Sequence, residues 1–166
     1  MAEPSGIYAR RAALQLLDAV LRRGETLDQS FHAATRSVRK PADKALALVS
    51  EALRWLPDLD RLIDSATKQN LPDDAKVRSV LRLMLAGWLR LGTPPHAVIA
   101  TGLPLLSGGP RRLAHGVFST LNKQEVTLPP VPSLPEQVEK RWAGHLGERM
   151  DLIAAGLAEP PQLDLS

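Results

Sequence analysis

The sequence predicts an all-α fold, a bundle of about seven helices, on three observations. Apolar residues recur at three- and four-residue steps from residue 8 to residue 121, and no alternating strand pattern interrupts them in the first 123 residues. The third observation is the stretch 73–99, DDAKVRSVLRLMLAGWLRLGTPPHAVI, a helical hairpin around which the rest should pack. Its apolar face is Val77, Val80, Leu81, Met84, Leu85, Trp88 and Leu89, with Lys76, Arg78, Arg82 and Arg90 falling largely between them. Asp73 is predicted to cap this helix and Gly92 to end it in a left-handed turn, after which Pro94 and Pro95 direct the chain into a helix from about His96. Gly87 costs a helix interior about 1 kcal/mol relative to Ala, which predicts a close helix crossing there.

The first helix, residues 8–23, carries Ala13, Leu14, Leu17, Val20 and Leu21 on one stripe, with Arg11, Gln15, Asp18 and Arg22 opposite, and Gly24 ends it. Thr26 and Gln29 have capping-box spacing and open a second helix bearing Leu27, Phe31, Ala34 and Val38, closed by the basic run Arg36 to Pro41. A third helix runs from Ala42 to Leu56 on Ala45, Leu46, Leu48, Val49, Ala52, Leu53 and Leu56, with Trp55 on its edge and Pro57 ending it. Asp58 is placed to cap a fourth, with Leu59, Leu62, Ile63 and Ala66 inward. After the hairpin, Pro104 and the turn at 107–110 end the sixth helix, and Pro110 begins a seventh with Leu113, Ala114, Val117, Phe118 and Leu121 inward.

Composition changes near residue 126, which sets the predicted domains at 1–126 and 127–166. The segment TLPPVPSLP, with four prolines, reads as a semi-rigid linker. Ser133 and Glu136 then have capping-box spacing for a helix bearing Val138, Trp142 and Leu146, followed by another bearing Leu152, Ile153 and Leu157. Leu163 and Leu165 alternate like the opening of a strand, so a further domain is expected after them.

Charge separates the same two parts. Residues 1–123 hold 18 Lys and Arg against 11 Asp and Glu, whereas residues 124–166 hold 3 against 7, so the basic part is the one suited to a polyanion. The alternative is that arginine merely solubilises helix faces. The chain has no cysteine, which excludes disulfides, thiolate metal sites and a cysteine nucleophile within it. No run approaches the roughly 18 apolar residues of a membrane span, no signal-peptide pattern opens the chain, and a cytoplasmic protein is expected.

Gly-rich phosphate loops, HExxH and nucleophile elbows are absent from the sequence, and His32, His96, His115 and His145 fall on four separate predicted helices, so no catalytic or metal residue is expected. Trp55, Trp88 and Trp142 lie at apolar helical positions and read as core. The informative groups are basic. Arg10 and Arg11 stand near the start of the first helix and Arg111 and Arg112 near the start of the seventh, where a helix N-terminus adds to the attraction for phosphate. With Lys123 they form the predicted RNA-binding set.

The order RRAALQLLDAVL, ALALVSEALRWLPDLDRLID, VLRLMLAGWLRLGTPPHAVI and LAHGVFSTL resembles the NusB-like RNA-binding domain, most closely the N-terminal copy in bacterial ribosomal RNA cytosine-C5 methyltransferases of the RsmB (Sun) family. The resemblance covers about residues 8–123, and the later LPEQVEKRWAGHLGERMDLIAAGLAEPPQLDLS looks like that enzyme's connection to its next domain. Relatives usually carry an Asn where this chain has His115 and an arginine where it has Ser119, and an acidic residue common after the prolines appears as Thr101 or Gly102. The resemblance implies two packed helical subdomains and an arginine-rich first helix that meets ribosomal RNA. It further implies an S-adenosylmethionine domain with a cysteine nucleophile beyond residue 166, the cofactor belonging to that domain and not to this chain. The expected partners are then RNA and the chain's own downstream catalytic domain, with a protein partner or a second copy also open and no membrane. Two other functions fit the same residues, a stand-alone antitermination or protein-interaction module and a scaffold that only stabilises a catalytic domain.

Overall fold

A computed structural model describes residues 5–26, 29, 42–73 and 75–134. Among these residues there are six α-helices and no strand: α1 (Ser5–Arg23), α2 (Ala42–Arg54), α3 (Leu56–Ser65), α4 (Lys76–Leu89), α5 (Pro95–Gly102) and α6 (Gly108–Lys123), with a 3-10 turn at Leu103–Leu105. The helix expected over residues 27–38 and those expected after Ser133 lie outside the described residues. The capping box that opens the former is formed: the Thr26 N–H donates to Gln29 Oε1 and the Gln29 N–H to Thr26 Oγ1, both at 3.3 Å.

α4 is the hub, packing against each of the other five helices. Every residue from Val77 to Gly87 is buried, so a helix patterned as amphipathic is enclosed on all sides, including Arg78 and Arg82, each only 2% exposed. Two cations in a core need counter-charges, and α3 supplies them. Arg82 binds Asp60 through Nε at 2.7 Å and Nη2 at 3.0 Å, while Arg78 reaches Asp64 at 2.6 Å, Asp60 at 3.2 Å and the Leu71 carbonyl at 2.7 Å. The Asp73 carbonyl accepts from Arg82 at 3.1 Å, and the cap at the start of α4 is Ala75 with no side-chain bond, not Asp73 as expected. Beyond α4, Gly92 is left-handed (φ 69°) and the Thr93 N–H returns to the Gly87 carbonyl at 2.9 Å, as the glycine predicts.

Several expected faces are rotated. In α1 the buried set is Ile7, Ala9, Ala12, Ala13, Leu16, Leu17 and Ala19, whereas Leu21, expected inward, is 38% exposed. Trp55, placed on the edge of its helix but read as core, is 1% exposed at the junction of α2 and α3, and one face of its ring carries Arg90, 4.7 Å from the ring centroid. Arg90 also holds the buried Glu51 at 3.0 Å, as does Arg54. On α6, Ala114, Val117, Phe118 and Leu121 are buried as expected, Phe118 meeting Trp88 edge-on at 5.3 Å, but Leu113 is 39% exposed. That helix begins at Gly108, two residues before Pro110.

Gly87 is buried, but its missing Cβ would meet Leu48 Cδ2 at an ordinary 3.4 Å. The tight approach is elsewhere: a Cβ on Gly102 would stand 2.6 Å from Met84 Cγ, so α5 crosses α4 at a position only glycine fits.

The proline-rich segment is fastened to the body. Ser133 donates through its N–H to Asp58 Oδ2 at 2.8 Å and through its hydroxyl to Asp58 Oδ1 at 2.6 Å, and Leu134 is buried. Asp58 therefore does not cap α3, which begins at Leu56 with Pro57 in its first turn; it lies inside that turn, where the helix dipole favours its charge, and receives the linker.

Candidate nucleic-acid interface

The positive charge of the chain is sorted by what each arginine touches. Arg22, Arg23, Arg54, Arg61, Arg78, Arg82 and Arg90 all face carboxylates within the fold. The expected set divides further. α1 starts at Ser5, so Arg10 and Arg11 stand in its second turn, beyond the first-turn N–H groups that attract anions. Arg10 is half-buried, donates to the Gly6 carbonyl at 3.3 Å and borders a small cleft with Val98, Thr101 and Leu105; burial lowers its pKa. Arg11 is exposed on the same turn.

α6 is different. Its sequence, GGPRRLAHGVFSTLNK, contains no acid. Arg111, Arg112 and Lys123 are all exposed, and among the described residues none of them forms an ion pair or side-chain hydrogen bond. Beside this helix runs an open groove of about 540 Å³, whose other wall is the loop after α3. Arg112 and Lys68 line it from opposite walls, with Gln69, Leu71, Leu113 and Gly116 between. Arg10 and Arg112 thus border different depressions, and α1 and α6 each pack on α4 and the 3-10 turn instead of forming a principal contact with one another.

Lys68 is the residue that sequence reasoning missed. In KQNLPD it reads as an ordinary loop charge, and only the packing of α3 and α6 on α4 brings it opposite Arg112. His115 is exposed and Ser119 half-buried on α6, and at Gly102 an acidic side chain would collide with Met84. Among the described residues no three His, Cys, Asp or Glu side chains could hold a metal ion, and no helix is long and apolar enough to cross a membrane.

The architecture defines a class: an all-helical domain organised on one buried helix, with, among the described residues, one acid-free basic helix on its surface. Residues 8–105 match the NusB family, more than half of the chain, and the chain belongs to that family. Two solved structures share the fold. A chain in a crystal structure of a plectonemic RNA supercoil superposes with a TM-score of 0.65 at 24% identity, covering 76% of this chain and 99% of that one. A chain in a crystal structure of the antitermination factors NusB and NusE in complex with dsRNA gives 0.63 at 23% identity, covering 72% and 97%. No curated protein matches the chain by sequence.

Proposed function

We propose that this chain is a non-catalytic module that binds RNA and positions it as a substrate, and that it belongs to a ribosomal RNA cytosine-C5 methyltransferase. The observation that carries the RNA reading is α6, where Arg111, Arg112 and Lys123 stand unpaired on a helix without an acid while the other arginines are largely committed to internal carboxylates. Such cations contact phosphates, adding affinity and orientation while base choice is made elsewhere. The RNA in the two similar structures supports the same assignment. The methyltransferase reading rests on the order of the segment after Ser133, which resembles the connection into that enzyme's next domain, where the cofactor and nucleophile would be supplied.

Fluorescence anisotropy with a structured ribosomal RNA fragment tests it. Binding is expected to weaken linearly in logarithm with salt, and Arg111→Ala with Arg112→Ala to shrink that slope by about one unit per lost contact. Arg10→Ala with Arg11→Ala should have the smaller effect, because Arg10 is already held by Gly6. An unchanged slope in the α6 variant removes this face from consideration. For the second part, isothermal titration of the chain with S-adenosylmethionine should show no saturable binding; micromolar affinity would contradict it.

A second reading is favoured by exposed Leu91 and Leu113 and by the pairing of NusB with NusE in one similar structure: an antitermination or protein-interaction module. Binding of a protein partner with no RNA affinity at about 50 mM salt would select it.

A further inference from the structure

We infer that the cleft beside Arg10 receives the carboxylate of a glutamate side chain from a partner protein. Arg10 comes to it from α1, Val80 and Leu83 from α4, Val98 and Thr101 from α5 and Leu105 from the 3-10 turn. No acid lines it, and the Thr101 hydroxyl is already committed to the Ala97 carbonyl at 2.7 Å. Arg10 is the exception among arginines of its burial. Among the described residues, Arg54, Arg78, Arg82 and Arg90 are buried or half-buried, and each is paired with a carboxylate. Half-buried Arg10 has the Gly6 carbonyl alone, at 3.3 Å, which occupies only part of its donor fork. Burial disfavours its charge, and no counter-charge among the described residues offsets that cost.

Size and lining select the anion. The enclosed space is about 10 Å³, room for a single water-sized group. One oxygen of a planar carboxylate enters it, the guanidinium fork meets the pair of oxygens, and the methylenes behind them lie on the apolar walls. A phosphodiester carries a sugar on two of its oxygens and has no such stem, so it is left to exposed cations such as those of α6. The fold does not supply the acid from Gly102, because Met84 holds the place its side chain would take, 2.6 Å from the Cβ position. A free acid held by one ion pair gains little, whereas the same group on a protein adds its contact to a surrounding interface.

The 166-residue chain is titrated at constant ionic strength with four probes: a short blocked peptide holding one glutamate among alanines, its glutamine counterpart, sodium propionate and sodium phosphate. NMR follows the Arg10 Nε–H and the backbone amides of Thr101 and Gly102. The glutamate peptide is expected to shift them saturably in the millimolar range. It should bind about tenfold or more tighter than the glutamine peptide, as one charge-assisted hydrogen bond allows, and tighter than propionate. Thr101→Glu supplies an acid from inside the cleft, so it should raise the melting temperature and abolish the response. Arg10→Gln, with folding verified by its melting curve, should lose the amide shifts, and it decides alone where Thr101→Glu does not fold. Phosphate as tight as the glutamate peptide would make Arg10 a phosphate contact, and propionate as tight would make the ligand a free acid. Either result overturns the inference, as do equal affinities for the two peptides, no saturable shift with any probe, or a response retained in folded Thr101→Glu or Arg10→Gln. None of these outcomes bears on the salt titration of α6, so the RNA reading stands or falls separately.

Discussion

Arg82 and Asp60, 22 residues apart, are joined by two parallel N–H donations, Nε to Oδ1 at 2.7 Å and Nη2 to Oδ2 at 3.0 Å. Arg78 shares the same carboxylate. Burial disfavours the charge of Arg78, but the hydrogen bond to Asp64 and the charges of Asp60 and Asp64 outweigh it and raise its pKa. Asp60→Ala leaves Arg82 without a carboxylate and Arg78 with Asp64 alone, so it is expected to destabilise the fold by roughly 3–5 kcal/mol, read as a lower denaturant midpoint at similar slope. A loss under about 1 kcal/mol would show that water replaces the carboxylate.

Gly87 of the hub and Gly102 of α5, both buried, should respond differently to an added side chain. Gly102→Ala drives a Cβ into Met84 and is expected to cost about 1–3 kcal/mol despite the better helix former. Gly87→Ala meets only Leu48 at contact distance and should be close to neutral, while Gly87→Leu overpacks the same contact. Thermal melts of the three variants decide it. Equal midpoints for the two alanine variants would refute the close approach at Gly102.

Gly116→Ala faces neither constraint. With open space around the added methyl and a helical backbone, it should stabilise by about 1 kcal/mol, the propensity difference alone. A lower melting temperature would mean that the groove wall is not open in solution.

Lys123 lies at the far end of α6 from Arg111, so a phosphate track along the helix requires both ends. Lys123→Ala should reduce the salt slope of RNA binding by about one unit with no change in melting temperature. Arg22→Ala is the comparison, since Arg22 is paired with Asp18 at 3.3 Å, and it should leave the slope alone.

Asp58→Ala removes both acceptors of Ser133. Faster hydrogen exchange at the Ser133 amide and cleavage by protease within residues 127–134 are expected, with a stability loss of roughly 1–3 kcal/mol. An amide as protected as in the parent would mean that Leu134 alone holds the segment.

Helix positions were readable in the chain wherever apolar spacing and punctuation agree: Gly24 and Gly92 end helices where expected, and Thr26 and Gln29 exchange the hydrogen bonds of a capping box. What periodicity cannot show is which polar residue goes inside. Arg78 and Arg82 follow the rhythm of a solvent face, and only their pairing across to Asp60 and Asp64 lets α4 be enclosed. The exposed positions of Leu21 and Leu113 have the converse cause, because a helix at the rim of a bundle buries a narrower stripe than its apolar residues span. For the candidate interface, Arg111, Arg112 and Lys123 could be picked out by charge alone. Lys68 could not, since its relevance depends on a neighbour 44 positions away that only packing supplies.

The fastening of Ser133 to Asp58 alters what a proline-rich stretch means here. A free tether tolerates extra residues as slack, whereas a segment anchored at both ends acts as a ruler: α6 marks one end and Leu134, seated on the body, the other. An inserted residue between Val126 and Pro132 has to bulge outward or unhook the serine, while the same insertion after Leu134 leaves the measured span intact. RNA lying on α6 would then meet the following part of the chain at a set distance and bearing, and insertion scanning on either side of Leu134 is the way to read that graduation.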